Sequence, residues 1–113
     1  MKTEHCAWQV ADSAAVADWY AAHLGLKTVR SGPGPANGRF LADSTGRVLL
    51  EIYTHPAIPV PDYRQADPLT LHLAFCVDDV KAHSTRLIAA GATVQEALHT
   101  TPSGDEMVML RDP

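Results

Sequence analysis

Long apolar runs are missing from this chain. No stretch approaches the about 18 consecutive apolar residues of a membrane span, and the opening MKTEHCAW has no apolar core of signal-peptide length. The expectation is a soluble, cytoplasmic protein. Basic clusters are missing too. There are 9 Lys and Arg against 13 Asp and Glu, a formal charge of −4 and an isoelectric point near 5.8. No Lys/Arg patch is available to meet phosphates, which excludes nucleic acid and the membrane surface as expected partners and leaves a small molecule or another protein. Cysteine is scarce: Cys6 and Cys76 make no disulfide framework. Cys6 has the opposite strand parity to His5, whereas Cys76 shares the parity of His72. The two thiols are therefore expected on different sides of a sheet, and no bridge is expected between them. With 113 residues the chain suits one compact domain with a core of its own.

What is present is a repeat. EHCAWQVADS (Glu4 to Ser13) and LHLAFCVDDV (Leu71 to Val80) set His5 on His72, Ala7 on Ala74, Val10 on Val77 and Asp12 on Asp79, with Trp8 opposite Phe75. Each copy runs into a helical segment opened by an acidic cap and closed by glycine, DSAAVADWYAAHLG at Gly25 and DDVKAHSTRLIAAG at Gly91. One supersecondary unit is used twice.

In the first half, Thr3 to Val10 alternates as a strand, with His5, Ala7 and Gln9 on one face and Cys6, Trp8 and Val10 on the other. By the same parity Glu4 points away from His5. Ser13 to Leu24 follows as a helix with Asp12 or Ser13 as N-cap, and Val16, Trp19, Tyr20, His23 and Leu24 fall on one side. Leu26 to Arg30 reads as a strand, and SGPGPANG (Ser31 to Gly38) as a loop. Arg39 to Ala42 and Arg47 to Tyr53 form a hairpin across Asp43 to Gly46. The half is βαβββ. The segment from Thr54 to Pro68 carries Pro56, Pro59, Pro61 and Pro68 and reads as a linker or lid. The pattern then restarts: a strand Thr70 to Val77, a helix Val80 to Ala90, a strand Thr93 to His99, a turn at Thr101 to Gly104 and a strand Glu106 to Leu110. The counterpart of the Arg47 to Tyr53 strand falls beyond Pro113, so the second unit is expected to lack its closing strand. The units are 1–54 and 69–113, joined by 55–68.

Paired βαβββ units, a histidine in the first strand of each, "LGL" after the first helix and "MLRDP" at the end together resemble the vicinal oxygen chelate superfamily of glyoxalases, bleomycin-resistance proteins and extradiol dioxygenases. The resemblance covers essentially the whole chain and is specific for fold, not for reaction. It implies an α+β fold in which the two units curl a mixed sheet around a cavity, with helices on the outer face. It also implies metal ligands on the first and last strands of each unit. Carried onto this sequence, these fall on His5, Glu51 and His72, and a fourth would stand at about position 120 by the repeat. Two imidazoles and a carboxylate suit Zn, Ni, Fe(II), Co or Mn with positions left open for substrate. Cys76 is no co-ligand of His72, since residues four apart on a strand are about 13 Å apart.

Each histidine taken alone reads more readily as a core histidine than as a ligand, and Glu51 has its plain explanation as a solvated group in a wide barrel. The equivalence of His5 and His72, with a carboxylate in the apolar strand VLLEIY, is what raises them to a ligand set. Gln9, Phe40, Tyr53 and Cys76 are candidate cavity-lining residues. Trp8, Trp19 and Phe75 are expected to pack helix against sheet, and His23, His55, His83 and His99 to lie at the surface. Two functions follow from the resemblance. One is a metal-dependent lyase, isomerase or dioxygenase acting on a small molecule with vicinal oxygens, with Glu51 as the proton-moving carboxylate. The other is a metal-free protein that sequesters a small molecule. The long linker and the open sheet edge lead to the expectation of a homodimer, and the segments His55 to Pro68 and Ser31 to Gly38 are expected to border the cavity mouth.

Overall fold

The computed structural model describes residues 1–113, which form two compact units, Met1–Ala66 and Asp67–Pro113. The architecture is α+β. In unit one the elements are β1 (Cys6–Gln9), α1 (Ser13–Leu24), β2 (Lys27–Ser31), β3 (Arg39–Ala42) and β4 (Val48–Tyr53). Asp12 begins α1 by accepting from the backbone N–H groups of Ala14 and Ala15 at 3.1 and 3.0 Å. Gly25 ends it at φ +71, a left-handed conformation that a residue with a Cβ rarely adopts.

The sheet of unit one has the order β1-β4-β3-β2, with β1 parallel to β4 and the other pairs antiparallel. Alternation along β3 and β4 divides its residues between two faces. Leu41, Leu50 and Ile52 are fully buried on the side against which α1 packs. The buried face of the helix is Ser13, Ala17 and Tyr20, while Val16, Trp19, His23 and Leu24 are only half-buried. The small residues Ser13 and Ala17 let the helix approach the sheet closely, which moves the centre of the contact away from the bulkier residues that periodicity favours.

The opposite face is set by register. Ala7 lies opposite Glu51, Glu51 opposite Phe40, and Phe40 opposite Arg30, so one row crosses all four strands. A bulge in β2 brings Arg30 rather than Val29 into this row.

Unit two contains α2 (Val80–Ala89) and a hairpin of β5 (Thr93–Thr100) with β6 (Glu106–Arg111). Asp79 caps α2, accepting from Ala82 N–H at 2.8 Å. The strand expected at Thr70 to Val77 does not form. In unit one the first strand pairs only with β4; within residues 67–113 no strand stands as β4 does in unit one, and residues 70–77 have no ladder partner there. Phe75 is accordingly 41% exposed rather than packed under a helix.

The Pro-rich segment after β4 belongs structurally to unit one as far as Ala66. The buried side chain of Gln9 donates to the carbonyl oxygens of His55 and Ile58 at 3.0 and 2.9 Å and accepts from His55 N–H at 2.9 Å. The Tyr63 hydroxyl donates to the Gln9 carbonyl at 2.9 Å. The loop 31–38 is pinned as well: the fully buried Ser13 donates through Oγ to the Asn37 carbonyl at 2.7 Å, and Thr54 N–H donates to the Ala36 carbonyl at 2.7 Å.

Candidate functional site

His5 stands one residue before β1, and its contacts with Glu51 and Phe40 put it on the face that carries the Ala7–Glu51–Phe40–Arg30 row. Its Nε2 is 3.1 Å from Glu51 Oε2, and the two side chains are 26% and 25% exposed. Phe40 meets the imidazole edge-on, with ring centroids 5.3 Å apart and planes at 85°. The Arg30 guanidinium lies over Phe40, 3.6 Å from the ring centroid. Glu4 closes the group, with one carboxylate oxygen against His5 Nδ1 and the other 3.3 Å from Arg30 Nη2.

Gly38 is what makes room for Glu51. A Cβ there would stand 3.2 Å from Glu51 Oε1, so an alanine would press on the carboxylate. Because Gly38 is also buried, the loop before β3 forms one wall of the site.

Of the sequence-derived candidates, the structure brings together His5, Glu51 and Phe40. Tyr53 is half-buried on the face of Glu51, opposite Gln9. Gln9 has its amide fully engaged with the segment after β4. His72 lies in unit two, where its Nδ1 is 3.1 Å from the Pro68 carbonyl oxygen, and Cys76 is an exposed free thiol, as is Cys6. No group of three His, Cys, Asp or Glu side chains is arranged to hold a metal ion. A groove along α2 lined by Asp79, Lys81, Thr85 and Arg86 contains none of the candidates.

The pair in unit one fits a shared cation. Two donor atoms about 2.0–2.1 Å from one ion at octahedral or tetrahedral angles stand about 2.9 to 3.4 Å apart, and 3.1 Å falls within that span. A carboxylate at the other ring nitrogen is the usual outer partner of a metal-binding imidazole.

Sequence reasoning missed Glu4, Arg30 and Gly38. Glu4 was expected on the far side, but that parity holds only within a strand, and β1 begins at Cys6. The bulge hid Arg30. For Gly38 there was a signal in its position directly before a strand that carries a site residue.

A sheet of this order with a crossover helix, followed by a helix and hairpin repeating the same pattern, defines the glyoxalase type of α+β protein. The sequence profile of the Glyoxalase/Bleomycin resistance protein/Dioxygenase superfamily matches residues 2–113, and the chain belongs to that superfamily. Among solved structures it is similar to SMU.1112c, at 28% identity and a TM-score of 0.72, covering 100% of this chain and 92% of that one. It is also similar to a glyoxalase family protein from Enterococcus faecalis, at 24% identity and a TM-score of 0.70, covering 99% and 90%. A third similar structure is TnmS3, an antibiotic binding protein from Streptomyces sp. CB03234, at 21% identity and a TM-score of 0.69, covering 100% and 88%. The last two likenesses concern fold alone. No curated protein matches the chain. No helix is long and apolar enough to cross a membrane.

Proposed function

We propose that the protein is a divalent-metal-dependent enzyme of the glyoxalase type, a lyase, isomerase or dioxygenase acting on a small molecule with vicinal oxygens. The observation that carries this reading is the 3.1 Å approach of His5 Nε2 to Glu51 Oε2 on a half-buried sheet face. His5 and Glu51 would hold the ion, and His72, the counterpart of His5 in the repeat, would supply a third ligand from unit two. When bound, the cation supplies a Lewis acid for the substrate oxygens. Glu51 would move a proton at the substrate carbon, and Phe40 and Tyr53 would shield the reacting atoms from water. The identity of the metal is left among Zn, Ni, Fe, Co and Mn by a ligand set of imidazole and carboxylate.

A second reading, small-molecule sequestration, is favoured by one observation. The Arg30 guanidinium stacked on Phe40 makes a flat edge beside His5 against which a conjugated ligand would stack, since guanidinium and aromatic planes stack on each other. Elemental analysis of protein purified without added metal separates the two. The expected result is about one first-row metal ion per site, lost in both His5→Ala and His72→Ala. Protein that folds, takes up no metal on titration and binds flat aromatic ligands equally well in both variants would reject the enzyme reading.

A further inference from the structure

His5 is enclosed by a ring of contacts that determines which way its imidazole points. Four residues make the ring, and each touches the next: His5 Nδ1 with the Glu4 carboxylate, Glu4 Oε1 with Arg30 Nη2 at 3.3 Å, Arg30 with the Phe40 face at 3.6 Å, and Phe40 with His5 edge-on at 5.3 Å. Three of the four lie outside the regular ladder: His5 as well as Glu4 comes before β1, and Arg30 reaches the row only because of the bulge between Thr28 and Arg30. A regular β2 would place Val29 opposite Phe40, with no cation for Glu4 and none for the ring. Bulges commonly serve to re-aim a side chain at a site.

We propose that Glu4 is the positioning residue of His5, and that Arg30, stacked on Phe40, holds Glu4 in place; the proposal rests on the metal reading above for its purpose. The chemistry is that of a carboxylate accepting a hydrogen bond from Nδ1–H, which keeps the proton on Nδ1 so that Nε2 has its lone pair for the ion and faces Glu51. Phe40 limits rotation of the ring about χ2 from the other side. Glu4 itself touches neither substrate nor ion. Because its side chain is 62% exposed, substituting it leaves the core untouched, and a change in the behaviour of His5 cannot be ascribed to unfolding.

The test uses the full chain as wild type, Glu4→Ala, Glu4→Gln and Arg30→Met, with two readouts. The first is long-range proton–nitrogen NMR of the His5 ring in metal-free protein, which reports whether a slowly exchanging proton sits on Nδ1. The second is Co2+ affinity and stoichiometry by calorimetry. The expected result is an Nδ1 proton in wild type that is lost in Glu4→Ala, with Co2+ affinity weakened about 10- to 100-fold at unchanged stoichiometry. Glu4→Gln should lose less, because its amide oxygen still accepts from Nδ1–H, and Arg30→Met should fall between them. A ring signal and affinity in Glu4→Ala identical to wild type would overturn the proposal. Wild type that shows the held Nδ1 proton, lost in Glu4→Ala, yet takes up no Co2+ would support the positioning role and reject the metal reading instead.

Discussion

Asp43 lies in the turn between β3 and β4, where its Oδ1 accepts from Thr45 N–H at 2.9 Å, Thr45 Oγ–H at 2.6 Å and Arg47 N–H at 3.2 Å. The Thr45 hydroxyl is the main reason its carboxyl lies below the ordinary 3.8; desolvation opposes it, and the backbone N–H groups of Thr45 and Arg47 and the Arg47 charge add to the lowering. A group whose pKa is depressed on folding contributes stability above its unfolded value and loses it as pH falls through the folded value. Wild type should therefore be more stable than Asp43→Ala at neutral pH, with the difference narrowing below pH 3.8. Thermal melts of the two proteins at neutral and acid pH check this, and a difference that grew on acidification would contradict it. At this scale the sequence carried His5 and Glu51 through the repeat and through a carboxylate in an apolar strand. It did not carry Glu4 or Arg30, because alternation fails outside a strand and cannot foresee a bulge.

Among the elements, both helices and the hairpins were legible to within a residue or so, since capping Asp residues, glycine stops and turn chemistry are local signals. The stretch Thr70 to Val77 was not. Its alternation is that of a strand, yet a strand exists only with a neighbour to bond. The segment after β4 shows the opposite case: its prolines suggested a linker or lid, whereas the Gln9 amide and the Tyr63 hydroxyl fasten it to β1. Burial and the nearby Tyr53 push the Tyr63 phenol above its ordinary 10.0, so it remains a hydrogen-bond donor throughout the neutral range. Gln9→Leu takes the amide partner from the Ile58 carbonyl and the His55 N–H of this strap, and leaves the His55 carbonyl only the Ile58 N–H. Losing such partners costs about 1–3 kcal/mol, or about ten- to a hundredfold in local opening. Hydrogen exchange at His55 and Ile58 should accelerate by that factor, and exchange unchanged from wild type would show that the amide does not fasten the strap.

For the whole molecule, the two-stranded sheet of unit two is of a size that is marginal alone. It exposes Val94, Leu98 and Met107, with Leu71 and Phe75 exposed in the segment before α2. We propose that a second copy covers these residues. Sedimentation equilibrium at micromolar concentration should give about 24 kDa, twice the chain mass of 12.2 kDa; a mass of one chain would reject the homodimer. Mixing His5→Ala with His72→Ala subunits then locates the site. If ligands are shared between chains, mixed dimers regain one intact metal site, whereas sites built within one chain stay broken. The central proposal is a metal ion at His5 and Glu51, with His72 proposed as its third ligand, and X-ray absorption at the Co edge of the loaded protein tests it most directly. The spectrum should show two imidazoles and a carboxylate at about 2.0–2.2 Å, with one imidazole lost in His72→Ala. A Co2+ shell of light oxygen donors alone, unchanged by either histidine substitution, would contradict it.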